Sequence, residues 1–271
     1  MLCKSGFLFF VPSMRKPIGI FDSGIGGTSI WREIRRLLPH EDMVYLADSK
    51  NAPYGTKPKS EIKQMCFANT DFLLRLDCKI IVVACNTATT NAIDALRQTY
   101  QVPFVGIEPA IKPAALQTQT KRVGVLATQG TLSSSLFNTT SKKFTQGIQV
   151  VEQVGKGLVE LIEAGKHDSP EIRALLKRYL EPMLVENIDH LVLGCTHYPY
   201  LIPVLEELLP NHIKIIDSGE AVARQTQAIL EKTDSLSPQE NGGADVFFTT
   251  GSKTSLERWV GAGSEIRTIT L

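Results

Sequence analysis

The sequence predicts an α/β protein of two pseudo-symmetric domains, each a mostly parallel sheet flanked by helices, with a functional site at their interface. Short β-branched runs alternate with helical patterns along the chain, which is typical of right-handed βαβ units. Residues 79–84 are apolar after their first residue, as expected for a strand covered on both faces. The order of elements in the first half then recurs in the second half, which indicates two related halves.

The first half predicts three strands joined by two helices. The strands are expected at residues 17–22, 43–47 and 79–84, and the helices at about 28–38 and 58–76. A loop that contains Asn51-Ala52-Pro53-Tyr54-Gly55 is expected between the second strand and the second helix.

The second half repeats this pattern. Residues 121–127 resemble the first strand, with a polar turn at 128–131 after them, and residues 188–194 resemble the strand at 79–84. Each member of the latter pair of strands ends at a cysteine followed by two polar residues, at Cys85 and at Cys195. The match favours duplication of one α/β unit.

The domain bounds follow from where the repeated pattern breaks. We place a first domain at residues 1–108 plus 221–271 and a second domain at 109–220, with crossings near 106–109 and 217–219. The tail, with a helix at about 220–231 and a strand at 245–250, is assigned to the first domain.

Composition excludes several classes of protein. Hydrophobic residues make up 43% of the 271 residues and charged residues 21%, with a net charge of +1, so no strong field attracts nucleic acid or an anionic membrane. No apolar run reaches the length of a membrane span. The five cysteines are odd in number and form no CxxC pair, which favours a reducing cytoplasm over a disulfide framework.

The first 13 residues are expected to be a disordered or upstream-start extension. Their apolar stretch at residues 6–12 is short for a signal sequence and lacks a small-residue cleavage site. A second methionine, Met14, stands just before the first predicted strand.

Reactive and polar side chains collect where the predicted strands end. In open α/β sheets, ligands bind outside the carboxyl ends of the strands. The residues at these ends are Asp22, Ser23, Cys85, Asn86, Thr87, Cys195, Thr196 and His197. We therefore expect one site that draws on both halves.

Two interpretations exist for Cys85 and Cys195. A buried cysteine usually acts as a small hydrophobic residue, and this interpretation is kept for Cys3, Cys66 and Cys78. Cys85, however, precedes a helical pattern, and a helix N-terminus lowers a thiol pKa. Cys195 repeats the arrangement, and the duplicated context favours a pair of reactive thiols.

His197 and the glycine-rich turn at residues 22–27 each leave alternatives open. His197 could act as a metal ligand, as an acid or base beside a thiolate, or as a structural histidine. No second Cys/His cluster completes a zinc site, so a metal is disfavoured. The turn is neither GxGxxG nor a P-loop, and Asp22 with flexible glycines suits a small polar ligand. Asp217-Ser218-Gly219 repeats the tripeptide and is interpreted as a helix N-cap.

Four motifs together resemble the glutamate racemase family of the aspartate/glutamate racemase superfamily, from about residue 16 to the C-terminus. They are Gly19-Ile20-Phe21-Asp22-Ser23-Gly24-Ile25-Gly26-Gly27, Asn51-Ala52-Pro53-Tyr54-Gly55, Ala84-Cys85-Asn86-Thr87-Ala88-Thr89 and Gly194-Cys195-Thr196-His197-Tyr198-Pro199. The resemblance implies interconversion of L- and D-glutamate without pyridoxal phosphate, flavin or metal, to supply D-glutamate for peptidoglycan. It also implies a homodimer and, as in some members, a cell-wall nucleotide precursor as activator.

The resemblance also implies roles for individual residues. Cys85 would remove the α-proton of D-glutamate and Cys195 that of L-glutamate, with Asp22 and His197 assisting on their respective sides. Glu163 resembles the family's additional acidic residue, although Gly155-Lys156-Gly157 stands where many members have Cys-Pro. The residues that would hold the substrate are Asp22, Ser23, Pro53, Tyr54, Gly55, Asn86, Thr87 and Thr196.

This chemistry is consistent with the residue types. Racemisation removes a proton from one face of the α-carbon and returns one to the other, which two thiols from two related domains can do. Few Arg or Lys residues flank the motifs, so amide N–H groups and Ser, Thr and Asn side chains are expected to bind the carboxylates. Two rivals remain: a racemase of aspartate or another amino acid, and a non-catalytic small-ligand binding protein on this fold.

Overall fold

The structure is a computed structural model that describes residues 15–238 and 242–271. The predicted extension at 1–13 lies outside the described residues. The described strands are β1 (Ile18–Asp22), β2 (Met43–Ala47), β3 (Ile80–Val83), β4 (Phe104–Gly106), β5 (Arg122–Ala127), β6 (Gln149–Val154), β7 (His190–Gly194), β8 (Lys214–Ile216), β9 (Asp245–Thr249) and β10 (Ile266–Thr268).

The helices alternate with these strands. They are α1 (Thr28–Leu37), α2 (Lys59–Arg75), α3 (Asn86–Thr99), α4 (Ile111–Gln117), α5 (Gln129–Leu132), α6 (Ser135–Phe144), α7 (Leu158–Glu163), α8 (Pro170–Val185), α9 (Ile202–Leu208), α10 (Gly219–Lys232) and α11 (Lys253–Val260). Each strand and helix predicted from the sequence is present, with ends that differ by one or two residues. Within the described ranges, no helix is long and apolar enough to span a bilayer.

The strands form two separate parallel sheets, which confirms the predicted α/β fold class. One sheet has six strands in the order β10-β9-β2-β1-β3-β4, and the other has four in the order β6-β5-β7-β8. All described pairings in both sheets are parallel. The order β2-β1-β3-β4 in one sheet matches β6-β5-β7-β8 in the other, so the repeat in the sequence corresponds to a repeat in topology.

The central strands are the most apolar because helices cover both of their faces. Every residue of β1, β2, β3 and β7 is buried, whereas β6 at the edge of the smaller sheet has no fully buried residue. This gradient is what parallel sheets in α/β proteins require. The strands after residue 244 lie in the six-stranded sheet, where β9 pairs with β2 and β10 pairs with β9.

The two crossings between the halves lie against each other. The Ser218 hydroxyl donates a hydrogen bond to the Glu108 carbonyl oxygen at 2.5 Å. Ser218 is the N-cap residue of α10, but its side chain makes no capping hydrogen bond; Asp217 Oδ1 instead accepts the Gly219 N–H at 2.7 Å. The Ser218 hydroxyl is therefore available for the hydrogen bond to Glu108, which joins the two chain segments that cross between the halves. The domain bounds themselves stay a prediction.

Candidate active site

The functional site lies where the carboxyl ends of the two sheets meet. Asp22 ends β1, and Cys85 follows β3 by two residues in the first sheet; Cys195 directly follows β7 in the second sheet. The cavity that the two cysteines share has a volume of only about 10 Å³, which is room for roughly one water molecule. Its lining residues are Ser23, Pro53, Tyr54, Gly55, Cys85, Asn86, Thr87, Thr128, Val159, Cys195, Thr196 and His197.

Most of the predicted site residues therefore come together, and two lining residues were missed. Thr128 and Val159 were not among the predicted set. Thr128 follows β5 directly and N-caps α5, where a simple turn was predicted, because its side chain accepts the Thr131 N–H. The strand-end argument that selected Asp22 would also have selected Thr128.

Cys85 is buried at the N-cap of α3. Its Sγ accepts the Ala88 N–H at 3.4 Å and donates to Ser23 Oγ at 3.7 Å. Burial raises the pKa of Cys85 well above its usual value, nearby Asp22 raises it further, and the Ala88 N–H lowers it only in part. The predicted lowering of this pKa by the helix N-terminus is wrong, because desolvation outweighs the helix dipole. Burial therefore favours the thiol form of Cys85.

Asp22 connects the two halves behind Cys85. Its Oδ1 accepts the Ser23 hydroxyl at 2.9 Å, and its Oδ2 accepts the Thr196 hydroxyl from the other sheet, also at 2.9 Å. Complete burial raises the pKa of Asp22, while the charge of His197 and these hydrogen bonds oppose the rise. Asp22 acts on Cys85 through Ser23 and through its charge.

A second chain of groups lies on the Cys195 side. His197 Nδ1 lies 3.7 Å from Cys195 Sγ, and His197 Nε2 lies 2.7 Å from Glu163 Oε1. Glu163 is the last residue of α7, and its Oε1 also accepts the Ile25 N–H from the first half at 2.8 Å. Burial lowers the pKa of His197, but Cys195 and Glu163 together outweigh it and hold this pKa well above its usual value.

The two cysteines differ in their local structure. Cys85 caps an α-helix, but Cys195 precedes a 3₁₀ helix at Tyr198–Leu201, and α9 begins only at Ile202. The expectation that Cys195 repeats the helix N-terminus is wrong. Pro199 has no N–H to donate to the Cys195 carbonyl, and the Tyr198 N–H bonds this oxygen in a tighter turn instead.

Asn86 is the polar group in the cavity that most clearly lacks a partner. Both its Oδ1 and its Nδ2 are buried without a hydrogen bond in the described structure, although such groups are costly to bury unpaired. An amide that offers a donor and an acceptor suits a ligand with carboxylate and ammonium groups. Among the described residues, no Lys or Arg lines this cavity.

Tyr54 lines the cavity, but its hydroxyl binds other residues of the protein and is not directed at a ligand. Its hydroxyl donates to Asp48 Oδ2 at 2.5 Å and accepts from Asn69 Nδ2 at 3.1 Å. These partners occupy the hydroxyl, so Tyr54 can offer the cavity only its ring and its backbone. Asp48 was not singled out from the sequence, although it follows β2 directly.

The fold and this constellation define a two-domain α/β protein with a cysteine pair at the junction of its sheets. Residues 18–226 match the family model for Asp/Glu/Hydantoin racemase. The chain belongs to the Asp/Glu/Hydantoin racemase family.

Relatives and solved structures agree with this assignment. The chain is 50% identical to glutamate racemase of Ectopseudomonas mendocina over 82% of this chain and 85% of that protein. It is similar to the crystal structure of glutamate racemase isoform RacE1 from Bacillus anthracis, with a TM-score of 0.85, 32% identity and coverage of 95% and 98%. It is also similar to the crystal structure of Escherichia coli glutamate racemase in complex with L-glutamate and activator UDP-MurNAc-ala. The TM-score is 0.83 and the identity 34%, and the match covers 94% of this chain and 99% of that chain.

The raised pKa of His197 predicts a pH-dependent stability. A histidine with a raised pKa contributes stability that is fully present below the unfolded pKa of about 6.5 and is lost as the pH rises through the folded pKa. Glu163→Gln removes one of the groups that raise this pKa. The resulting loss of unfolding free energy, measured by urea denaturation, should be larger at pH about 6 than at pH about 9.

Glu207→Gln is the matched control for this experiment. Glu207 pairs on the surface with Arg173 at 2.6 Å, and an arginine does not titrate in this range. Its effect should be the same at both pH values. An equal effect of Glu163→Gln at the two pH values would contradict a protonated His197.

Proposed function

We propose that this protein interconverts L- and D-glutamate by a two-base mechanism that needs no cofactor. The observation that supports it most directly is that Cys85 and Cys195, which follow equivalent strands of the two sheets, line one cavity. The names of the relatives point to glutamate as the substrate. An aspartate racemase of Picrophilus torridus is 21% identical, a likeness that speaks only for the fold.

The proposed reaction begins with one thiolate and one thiol. A Cys195 thiolate takes the α-proton of L-glutamate and becomes a thiol, which leaves a carbanion. The Cys85 thiol then gives its proton to the other face of the α-carbon and becomes a thiolate. D-glutamate reacts in the reverse order, so the protons balance in both directions. The high pKa of Cys85 suits a group that starts as the proton donor for L-glutamate.

Neighbouring groups assist each sulfur in this proposal. His197, held between Cys195 and Glu163, counters the negative charge of a Cys195 thiolate and later of the carbanion. Ser23 and Asp22 assist Cys85. The hydroxyls and amide of Ser23, Asn86, Thr87 and Thr196, with the backbone of Pro53, Tyr54 and Gly55, bind the substrate. The cavity is too small for glutamate, so we infer that the two sheet edges separate to admit it and exclude water when they close.

Solvent deuterium should report the two bases separately. In D₂O, with either enantiomer of glutamate, the product should carry deuterium at Cα while the unreacted substrate stays protiated in early turnover. The reason is that the proton returns from a thiol that has exchanged with solvent. Circular dichroism gives the racemisation rate and mass spectrometry gives the label, with L-aspartate as the comparison substrate.

Three outcomes would count against the proposal. A folded sample that neither racemises glutamate nor exchanges its α-proton is not this enzyme. Faster turnover of aspartate would assign a different substrate. Equal early labelling of substrate and product would indicate a single base.

The remaining functional predictions go with this proposal. They are a supply of D-glutamate to peptidoglycan, a cytoplasmic location, a homodimer, and activation by a cell-wall nucleotide precursor. The Escherichia coli relative was crystallised with such an activator.

A further inference from the structure

Asp48 is a buried carboxylate next to the cavity that the mechanism above does not use. It directly follows β2 and is 0% exposed. Its oxygens accept hydrogen bonds from the Tyr54 hydroxyl at 2.5 Å, from Asn51 Nδ2 at 3.0 Å and from the Thr250 hydroxyl at 2.9 Å. Its own N–H donates to the Asp22 carbonyl at 2.9 Å. Asp48 therefore connects a catalytic strand end with the loop at residues 51–55.

A carboxylate satisfies all of these neighbours as the structure places them. Each of the three side chains around it acts as a donor, and a carboxylate can accept them all. An asparagine would place an N–H group against a donor. Tyr54 cannot easily turn to accept it, because its oxygen already accepts Asn69 Nδ2. The arrangement fixes both the direction of the hydroxyl and the position of the Tyr54 ring.

The segment that Asp48 holds forms a wall of the cavity. Pro53, Tyr54 and Gly55 all line it. A Cβ on Gly55 would lie 3.0 Å from Thr128 Cβ, so this segment also packs closely against the second half. A shift of Tyr54 would move the wall of the cavity and its contact with Thr128 together.

We propose that Asp48 is a positioning residue for racemisation, which acts through Tyr54 to hold the segment Pro53-Tyr54-Gly55 against the cavity of Cys85 and Cys195. This inference rests on the proposed function. Asp48 does not contact the reacting atoms. It sets the geometry of the wall that the closed site needs for proton transfer.

The test compares Asp48→Asn with Asp42→Asn, a control from the other end of the same strand. Asp42 is also buried and accepts the N–H groups of Arg15 and Ala244 at 2.8 and 2.9 Å. Both variants should lower the melting temperature. Only Asp48→Asn should lower kcat/KM, by about 10- to 100-fold in both directions, because small misplacements in an active site cost this much.

Tyr54→Phe provides the second variant and does not depend on the folding of Asp48→Asn. It removes only a hydroxyl that is directed at Asp48, yet it should lower kcat/KM by about tenfold or more. The double variant Asp48→Asn/Tyr54→Phe should be no worse than the poorer single variant within about twofold, because both changes break the same contact between Asp48 and Tyr54. Normal kcat/KM in Tyr54→Phe, or fully multiplicative losses in the double variant, would overturn the proposal.

A readout without substrate separates this inference from the proposed function. Cys85 is 5% exposed, and the loosened wall should let iodoacetamide alkylate it several-fold faster in Asp48→Asn and Tyr54→Phe than in Asp42→Asn. Mass spectrometry identifies the modified cysteine. If the wild-type chain fails to racemise glutamate while these alkylation rates rise, the proposed function fails and the positioning by Asp48 stands. If Cys85 were alkylated no faster in Asp48→Asn and Tyr54→Phe than in Asp42→Asn, the positioning role of Asp48 would be overturned.

Discussion

Cys85→Ala and Cys195→Ala should each reduce racemisation in both directions by at least about 10³-fold, because each turnover needs one sulfur as base and the other as acid. The two variants should nevertheless differ in their exchange reactions. Cys85→Ala keeps the base assigned to L-glutamate, so any residual exchange of the α-proton with solvent should be confined to that enantiomer. Cys195→Ala should show the reverse. Circular dichroism and deuterium incorporation into each pure enantiomer measure the two effects.

Cys66→Ala is the control for loss of a buried thiol. Cys66 is fully buried on α2 in the core of the first half, and its replacement should change stability without changing turnover per folded molecule. Near-normal racemisation in either Cys85→Ala or Cys195→Ala would remove that residue from the mechanism. If Cys85→Ala exchanged only the α-proton of D-glutamate, and Cys195→Ala only that of L-glutamate, the roles of the two cysteines would be reversed.

The fold and the pair of cysteines could be predicted because they depend on local signals. Apolar runs of strand length, helical patterns between them and polar residues at the strand ends are all visible in the sequence. The repeated order of elements also indicated that Cys85 and Cys195 belong to equivalent strands. Both lie beyond the central strands of sheets with the same order, and the carboxyl ends of such strands are where α/β proteins bind ligands.

The electrostatics of the site could not be predicted, because they arise between distant parts of the chain. The pKa of Cys85 depends on its burial and on the charge of Asp22, which comes from another strand end. At Asp22, the rise in pKa that burial causes is opposed by His197, Ser23 and Thr196, and two of these come from the second half. The hydroxyl of Tyr54 faces Asp48, and another partner of Asp48, Thr250, is contributed by the tail of the chain. No local pattern contains these contacts.

Gly26→Ala should lower kcat/KM by about 100-fold, since displacement of a catalytic group by about 1 Å costs this much. A Cβ at residue 26 would lie 2.2 Å from His197 Nδ1, 2.6 Å from Cε1 and 2.7 Å from Cγ. The imidazole cannot retreat without loss, because Glu163 binds its Nε2. The ring must therefore give up its contact with Cys195, with Glu163, or with both. Steady-state kinetics in both directions measure the effect.

The overpacking in Gly26→Ala also costs stability, about 1–3 kcal/mol, so the kinetic effect needs a control with the same kind of strain. Gly124 lies in β5, where a Cβ would meet Ile188 Cδ1 at 2.8 Å and Met183 Sδ at 2.9 Å. Gly124→Ala should lower the melting temperature and leave kcat/KM nearly unchanged, because it strains the core and not the imidazole. If Gly26→Ala matched Gly124→Ala in kcat/KM, the close approach of Gly26 to His197 would have no part in catalysis. A loss of kcat/KM in Gly26→Ala alone would instead mean that residue 26, in the turn after β1, must be glycine because any Cβ there would displace His197 of the second half.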